Sequence, residues 1–356
     1  MTYQPDFERM LKVLWRRGEP DRVPFYELFY DPEVISAIMD EPAVRLPENP
    51  VADDYRRLMR QRIDLRLKLG YDYAQAHPRM ILPDRAHLLS DDTAELSHDA
   101  RVWVDENRGV IENWADYERY PWPAIGQITT PEVDAACELI PDGMKLQVTP
   151  PGGVLENVMW LMGYVPMSMA MADAPDLIDA MFDRVGELLL ACIEAVVDCE
   201  QVGIININDD LGFKSATLVS PEMLRRHVFP WYRRMAEVVH AHGKPFTLHC
   251  CGNVDEIIED IIAVPFEAKH SYEDVIMPVT EFKRRFGDRI AVEGGIDMHL
   301  LSSGSEEQVR QYTRRVMEEC MPGGGWALGS GNSLANYVPV QNYLAMLDVG
   351  WEMGHY

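Results

Sequence analysis

From about residue 140 onward the chain alternates between short apolar runs and amphipathic helical segments. This alternation limits what it can fold into more than any other feature. The runs are 145–148, 203–208, 245–249, 289–293 and 326–328, with a weaker one at 267–270. Short, nearly continuous apolar runs suit strands covered on both faces, as in a parallel sheet flanked by helices. The intervening segments carry helix ends. Ser220-Pro221-Glu222 reads as an N-cap, a first-turn proline and an acid that favours the helix dipole. That helix should stop near Gly243 and kink at Pro230. Ser305-Glu306-Glu307-Gln308 fits a capping box. A long helix is expected from near Pro175 to about Cys199, which would place Cys192 and Cys199, seven apart, on one face.

Strand followed by helix at this spacing means βα units and a parallel sheet. Enough units are present to close a (β/α)8 TIM barrel. Before residue 140, 21–26 could open the first strand and 70–74 the second, and 90–125, rich in Trp, Tyr and charge, reads as a hairpin excursion. The expected architecture is one TIM-barrel domain over 1–356 with an N-terminal helical and hairpin extension. No low-complexity linker or internal repeat divides it.

Composition narrows the class of partner. The 356 residues include 58 acidic and 33 basic side chains, a formal charge of −25, and no Lys/Arg cluster suited to phosphate. Nucleic acid and an anionic membrane surface are both disfavoured. Apolar stretches such as 188–193 are broken by charge long before the roughly 20 residues a membrane helix needs. The six cysteines are irregularly spaced, which argues against a secreted disulfide framework and for a reducing, cytoplasmic setting.

In a parallel barrel the chemistry sits where the strands end. The polar residues closing the runs are Asp209 and Asp210, His249 and Cys251, His270 and Tyr272, Glu293 and Asp297, and Asn332, with Gln147 from an earlier strand. His249-Cys250-Cys251-Gly252 is the sharpest local feature. Residues i and i+2 of a strand face the same way, so His249 and Cys251 should project together. An imidazole beside a thiolate is a zinc-ligand pair. A strand-end histidine that hydrogen-bonds substrate, beside two small buried thiols, fits the same spacing. Of Asp209 and Asp210, one could be a general base, a metal ligand or a clamp for a cation, the other a loop cap. The Gly-rich stretch 323–333 could offer backbone N–H groups to an anion, but it lacks the Lys-Ser/Thr of a nucleotide-binding P-loop.

Taken together, these motifs resemble the uroporphyrinogen decarboxylase superfamily. The matching pieces are Asp209-Asp210-Leu211-Gly212, Ser220-Pro221-Glu222-Met223, Phe229-Pro230-Trp231-Tyr232, and Lys244-Pro245 leading into His249-Cys250-Cys251-Gly252-Asn253. Further on come Phe286-Gly287-Asp288-Arg289, Gly294-Gly295-Ile296-Asp297, Gly329-Ser330-Gly331-Asn332-Ser333 and Val338-Pro339-Val340-Gln341-Asn342-Tyr343. An N-terminal echo stands at Pro20-Asp21-Arg22-Val23-Pro24. The resemblance implies the same barrel fold and one of two chemistries. One branch decarboxylates a porphyrinogen without a cofactor. The other moves methyl groups to or from a corrinoid or a thiol, using zinc held by a His-x-Cys pair and a later Cys.

After Arg22-Val23-Pro24 the chain reads Phe25-Tyr26-Glu27-Leu28-Phe29, with no Arg cluster for the porphyrinogen carboxylates. His249-x-Cys251 fits the methyltransferase branch, although Asn332 stands where the third ligand, a Cys, would be. The resemblance therefore implies a methyltransferase acting between a small methyl ether or amine and a corrinoid or thiol, with the corrinoid (cobalamin) held by a partner protein. His249, Asp210 and Glu293 are the expected catalytic residues. Gln147, Asp209, His270, Tyr272, Asp297 and Asn332 are expected to bind substrate. Zinc is expected on His249 and Cys251, its third ligand open between Asp210 and Glu293. A porphyrinogen decarboxylase and a non-catalytic corrinoid- or ligand-binding barrel are the alternatives.

Overall fold

The computed structural model describes residues 3–83, 87–90, 96, 101–105 and 107–356. Its strands are β1 (Tyr73–Ala76), β2 (His87–Ser90), β3 (Arg101–Val104), β4 (Lys145–Val148), β5 (Val202–Asn208), β6 (Phe246–His249), β7 (Ala268–His270), β8 (Ala291–Glu293) and β9 (Trp326–Ala327). Seven of them form one parallel sheet in the order β1-β4-β5-β6-β7-β8-β9, while β2 and β3 pair as an antiparallel hairpin. The sheet never reverses order, and helices lie between successive strands. The fold is α/β, with a curled, TIM-barrel-like parallel sheet.

The six runs from residue 145 onward all fall on strands. The earlier half departs from expectation. The second strand is shifted to Tyr73–Ala76, because Gly70 ends the preceding helix in the left-handed conformation. The expected first strand does not join the ladder as an element. It makes a parallel bridge between Phe25 and Leu328, with Tyr26 N donating to Leu328 O and Leu328 N donating to Pro24 O. Pro24 has no N–H to give. Toward β1 the same segment is held through side chains, Glu27 N donating to the Tyr73 hydroxyl, which in turn donates to Glu27 O. The sheet ladder among the described residues thus has seven strands, where the sequence suggests eight. The hairpin lies within 87–104, and the remainder of 84–100 is outside the described residues except for 87–90 and 96.

Two helix expectations are corrected. The long helix is Pro175–Glu194, so Cys199 lies beyond it; its thiol sits 3.0 Å from that of Cys137 rather than beside Cys192. The helix capped by Ser220 does not simply kink at Pro230. A π-helical turn, Leu224–Val228, precedes Phe229–Ala241 and absorbs the missing proline N–H. The Ser305 capping box is present as expected, ahead of Glu306–Cys320. Among the described residues no helix is long and apolar enough to cross a membrane.

Candidate active site at the strand ends

β5, β6 and β7 are in register, with Asn208 opposite His249 and His249 opposite His270. Paired residues of a parallel ladder face the same way, so His249 and His270 project side by side. Their Nδ1 atoms are 2.8 Å apart, and His270 Nε2 lies 3.1 Å from the carbonyl oxygen of Ser330. A carbonyl accepts only, so His270 must carry its proton on Nε2. Burial, reinforced by His249, drives the His270 pKa far down, so the ring is neutral and Nδ1 is a bare acceptor. His249 must then donate from Nδ1, leaving its Nε2 with a free lone pair. Burial, with the Lys269 charge adding to it, lowers His249 to about 3. The hydrogen-bond network thereby assigns the tautomer that a metal ligand requires.

That bare nitrogen looks onto two further donors. Cys251 Sγ is 3.4 Å from His249 Nε2, and Asp210 Oδ1 is 3.8 Å from it. The second contact joins a neutral ring to a carboxylate and is no ion pair. Asp210 is fixed by the Cys251 N–H, which donates to Oδ1 at 3.0 Å. Asp210, His249 and Cys251 hold their ligand atoms within 4.8 Å of one another. Burial raises the Cys251 thiol well above its ordinary pKa, with Asp210 reinforcing this. A bound cation would reverse that by stabilising the thiolate. One imidazole nitrogen, one thiolate and one carboxylate fit a catalytic zinc with one position left open. Asn332 Nδ2 donates to Cys251 Sγ at 3.0 Å, so the asparagine stands at the edge of this group.

The adjacent acids divide their labour. Asp209 is fully buried and accepts from Leu155 N and Glu156 N, both at 2.9 Å, and from the Tyr232 hydroxyl at 2.5 Å. It closes the N-terminus of the helix Val154–Met162. The residue before that helix must be Gly153, since a Cβ there would collide with the Asp209 side chain. Asp297 similarly caps Met298–Ser303, accepting from Leu300 N at 3.0 Å. The Tyr272 hydroxyl donates to Lys269 O, and its ring packs on Phe282. These three side chains are engaged in holding the fold.

Glu293 and Gln147 occupy a different place. Both are fully buried on their strands, and the Glu293 carboxyl makes no hydrogen bond among the described residues. Burial alone pushes Glu293 up to about 8. Of the two acids considered beside His249 and Cys251, Asp210 is grouped with them and Glu293 is not. Gly294 follows with φ +75, and a Cβ there would collide with Ser330 O. The glycine lets β8 end against the carbonyl that orients His270.

Several participants are not picked out individually from the sequence. Tyr26 is fully buried and packs its ring 4.8 Å from His270. Ser330 orients His270 through its carbonyl and gives its hydroxyl to Glu27 at 2.7 Å. Lys269 is buried, with Nζ on the carbonyls of Cys250 and Ser271. Tyr26 reads as the end of a first strand and Ser330 as part of a Gly-rich loop, and Lys269 sits mid-strand, where a charged residue is easily taken for a surface one.

Comparison with known proteins agrees with this architecture. A structure described as a methyltransferase from Methanosarcina mazei superposes with a TM-score of 0.66, covering 98% of this chain and 99% of that one at 18% identity. A uroporphyrinogen decarboxylase of Thioalkalivibrio sulfidiphilus is 32% identical over 75 residues. That match spans 21% of either chain. The uroporphyrinogen decarboxylase (URO-D) family model matches residues 108–352, which contain β4 to β9 and every strand-end residue described above. The chain belongs to the uroporphyrinogen decarboxylase family.

Proposed function

We propose that this chain is a methyltransferase of that family, moving a methyl group between a small methylated substrate, an ether or an amine, and a corrinoid or thiol acceptor. The observation that carries the reading is the bare His249 Nε2 facing Cys251 and Asp210 at the strand ends. His249, Cys251 and Asp210 would hold zinc, and His270 and the Ser330 carbonyl would orient the imidazole. When bound, zinc supplies a Lewis acid for the heteroatom that releases or receives the methyl group. In demethylation the heteroatom keeps the bonding pair and needs a proton. Glu293, protonated at neutral pH because of its burial, is the group available to hold one.

A corrinoid would arrive on a partner protein. Exposed apolar side chains on loops that follow strand ends support such docking: Ile81 after β1, Phe213 after β5 and Val275 after β7, with Phe29 and Tyr337 near the Tyr30–Leu334 bridge. On this reading residues 1–356 act as one barrel unit, and the Phe25 segment completes its circle.

The test is metal content together with methyl transfer. Protein reconstituted with zinc should move methyl groups from a methyl ether or methylamine to a cob(I)alamin or thiol acceptor, and Cys251→Ala should lose both metal and activity. Anaerobic incubation with uroporphyrinogen should leave it unchanged, since the acetate-binding Arg cluster is missing. Formation of coproporphyrinogen would replace this reading with the decarboxylase one.

A further inference from the structure

A second pocket lies between the helices Pro32–Met39 and Ala52–Leu69 and the end of β1. Its volume is about 140 Å³. Arg62, Arg66 and His77 line it together with apolar walls from Ile35, Val44 and Leu58, and no acidic side chain is among its lining residues. In a chain with 58 acids against 33 bases this is an unusual local balance.

Arg62 is paired with Glu132 at 2.7 Å. Arg66 is not paired in this way. It is 3% exposed, and no carboxylate among the described residues stands within ion-pair distance of it. Its guanidinium donates to Glu27 O at 3.0 Å, Gln75 Oε1 at 2.7 Å and, more weakly, the Tyr73 hydroxyl at 3.5 Å. A guanidinium has five N–H donors, so two have no acceptor among the described residues. The rings of Tyr30, Tyr71 and Tyr73 surround it at 4.8, 4.6 and 5.0 Å. The Glu27 carboxyl is turned to Ser330, and burial pushes it up to about 8, so it offers little negative charge at neutral pH. A buried cation with spare donors on a cavity wall favours an anion.

We propose that this pocket binds a small organic monocarboxylate, its carboxylate on Arg66 and its apolar body against Ile35, Val44 and Leu58. The pocket borders Gln75 and His77, where β1 ends, so it lies toward the same end of the sheet as the His249 group. Arg66 donates to the Glu27 backbone carbonyl, the Glu27 carboxyl accepts from the Ser330 hydroxyl, and the Ser330 carbonyl faces His270. The proposal does not depend on the methyltransferase reading.

The test is calorimetric titration of the intact protein with benzoate, and with benzamide as a neutral isostere. Benzoate should bind saturably and benzamide at least roughly tenfold more weakly, as expected for losing a charge-assisted guanidinium contact. Arg66→Gln should weaken benzoate by a similar factor. Ala43→Trp, which fills the pocket from its rim while leaving Arg66 in place, should abolish binding. Ala43 is half-buried, so this variant keeps the test sound if Arg66→Gln fails to fold. Equal binding of benzoate and benzamide, no benzoate binding into the millimolar range, or benzoate binding untouched in Ala43→Trp would each overturn the proposal.

Discussion

Glu293 gives the most quantitative test of the interior. Its carboxyl is fully buried, has no hydrogen-bond partner among the described residues, and is pushed from an ordinary 4.5 up to about 8 by burial alone. At about 1.36 kcal/mol per pKa unit, this difference corresponds to an upper figure on the order of 4–5 kcal/mol. The sign follows from proton binding. The native carboxyl holds its proton more tightly than the unfolded one, so it costs nothing below about pH 4.5. Native stability then falls as pH rises from about 4.5 to 8 and is flat above. Glu293→Gln keeps the shape, cannot ionise, and loses no hydrogen bond. The variant should match wild type within about 1 kcal/mol near pH 5 and exceed it by roughly 3–5 kcal/mol near pH 9. Urea unfolding at several pH values measures this as a shift in midpoint at constant m. Glu27 and Asp209, also raised to about 8 and about 6 by burial, are common to both proteins and cancel in the difference. A variant-minus-wild-type difference that stays flat across this range would refute the account of an uncompensated buried carboxyl.

Four further outcomes are expected. Asp209→Ala should destabilise the fold by about 3 kcal/mol in urea unfolding, because it strands two helix N–H groups, one of them buried, and the Tyr232 hydroxyl. Asp210→Asn, one residue along and partly exposed, should stay within about 1 kcal/mol while losing zinc. Asn332→Cys should raise zinc affinity, measured by competition with a chromophoric chelator, because it puts a second thiol beside Cys251 Sγ; unchanged affinity would mean that residue 332 does not reach the metal. His270→Phe should lower zinc affinity by about 10- to 100-fold with all three ligands intact, since it removes the acceptor that keeps the His249 proton on Nδ1. The same affinity in that variant would show that the histidine pair does not set the tautomer.

Much of the later half is legible in the residue pattern alone. The apolar runs are strands because they must be covered on both faces, and the caps at Ser220 and Ser305 sit where their side chains accept backbone N–H groups. The i, i+2 spacing correctly brings His249 and Cys251 to one side. The early half is less readable. Pro24 removes a ladder donor from a segment otherwise shaped like a strand, and Gly70 displaces β1 by a few residues. Nor does spacing reveal which way adjacent acids turn. Asp209 and Asp210 are indistinguishable as letters, yet one caps a helix and the other faces the histidine.

Local pattern thus determined the alternation of strands and helices, the ends of several helices, and the set of polar residues that strands deliver to one edge of the sheet. These depend on period, capping and φ preferences within a few residues of chain. The tertiary structure decided what depends on neighbours far away in sequence. The Ser330 carbonyl sets the proton of His270, and His270 that of His249, across 60 and 21 residues. Asp210, rather than Glu293, joins His249 and Cys251 because β5 and β6 are adjacent, whereas β8 is separated from β6 by β7. Protonation and the grouping of these side chains are set by distance and burial, and both are fixed only once the sheet has curled the strands into place.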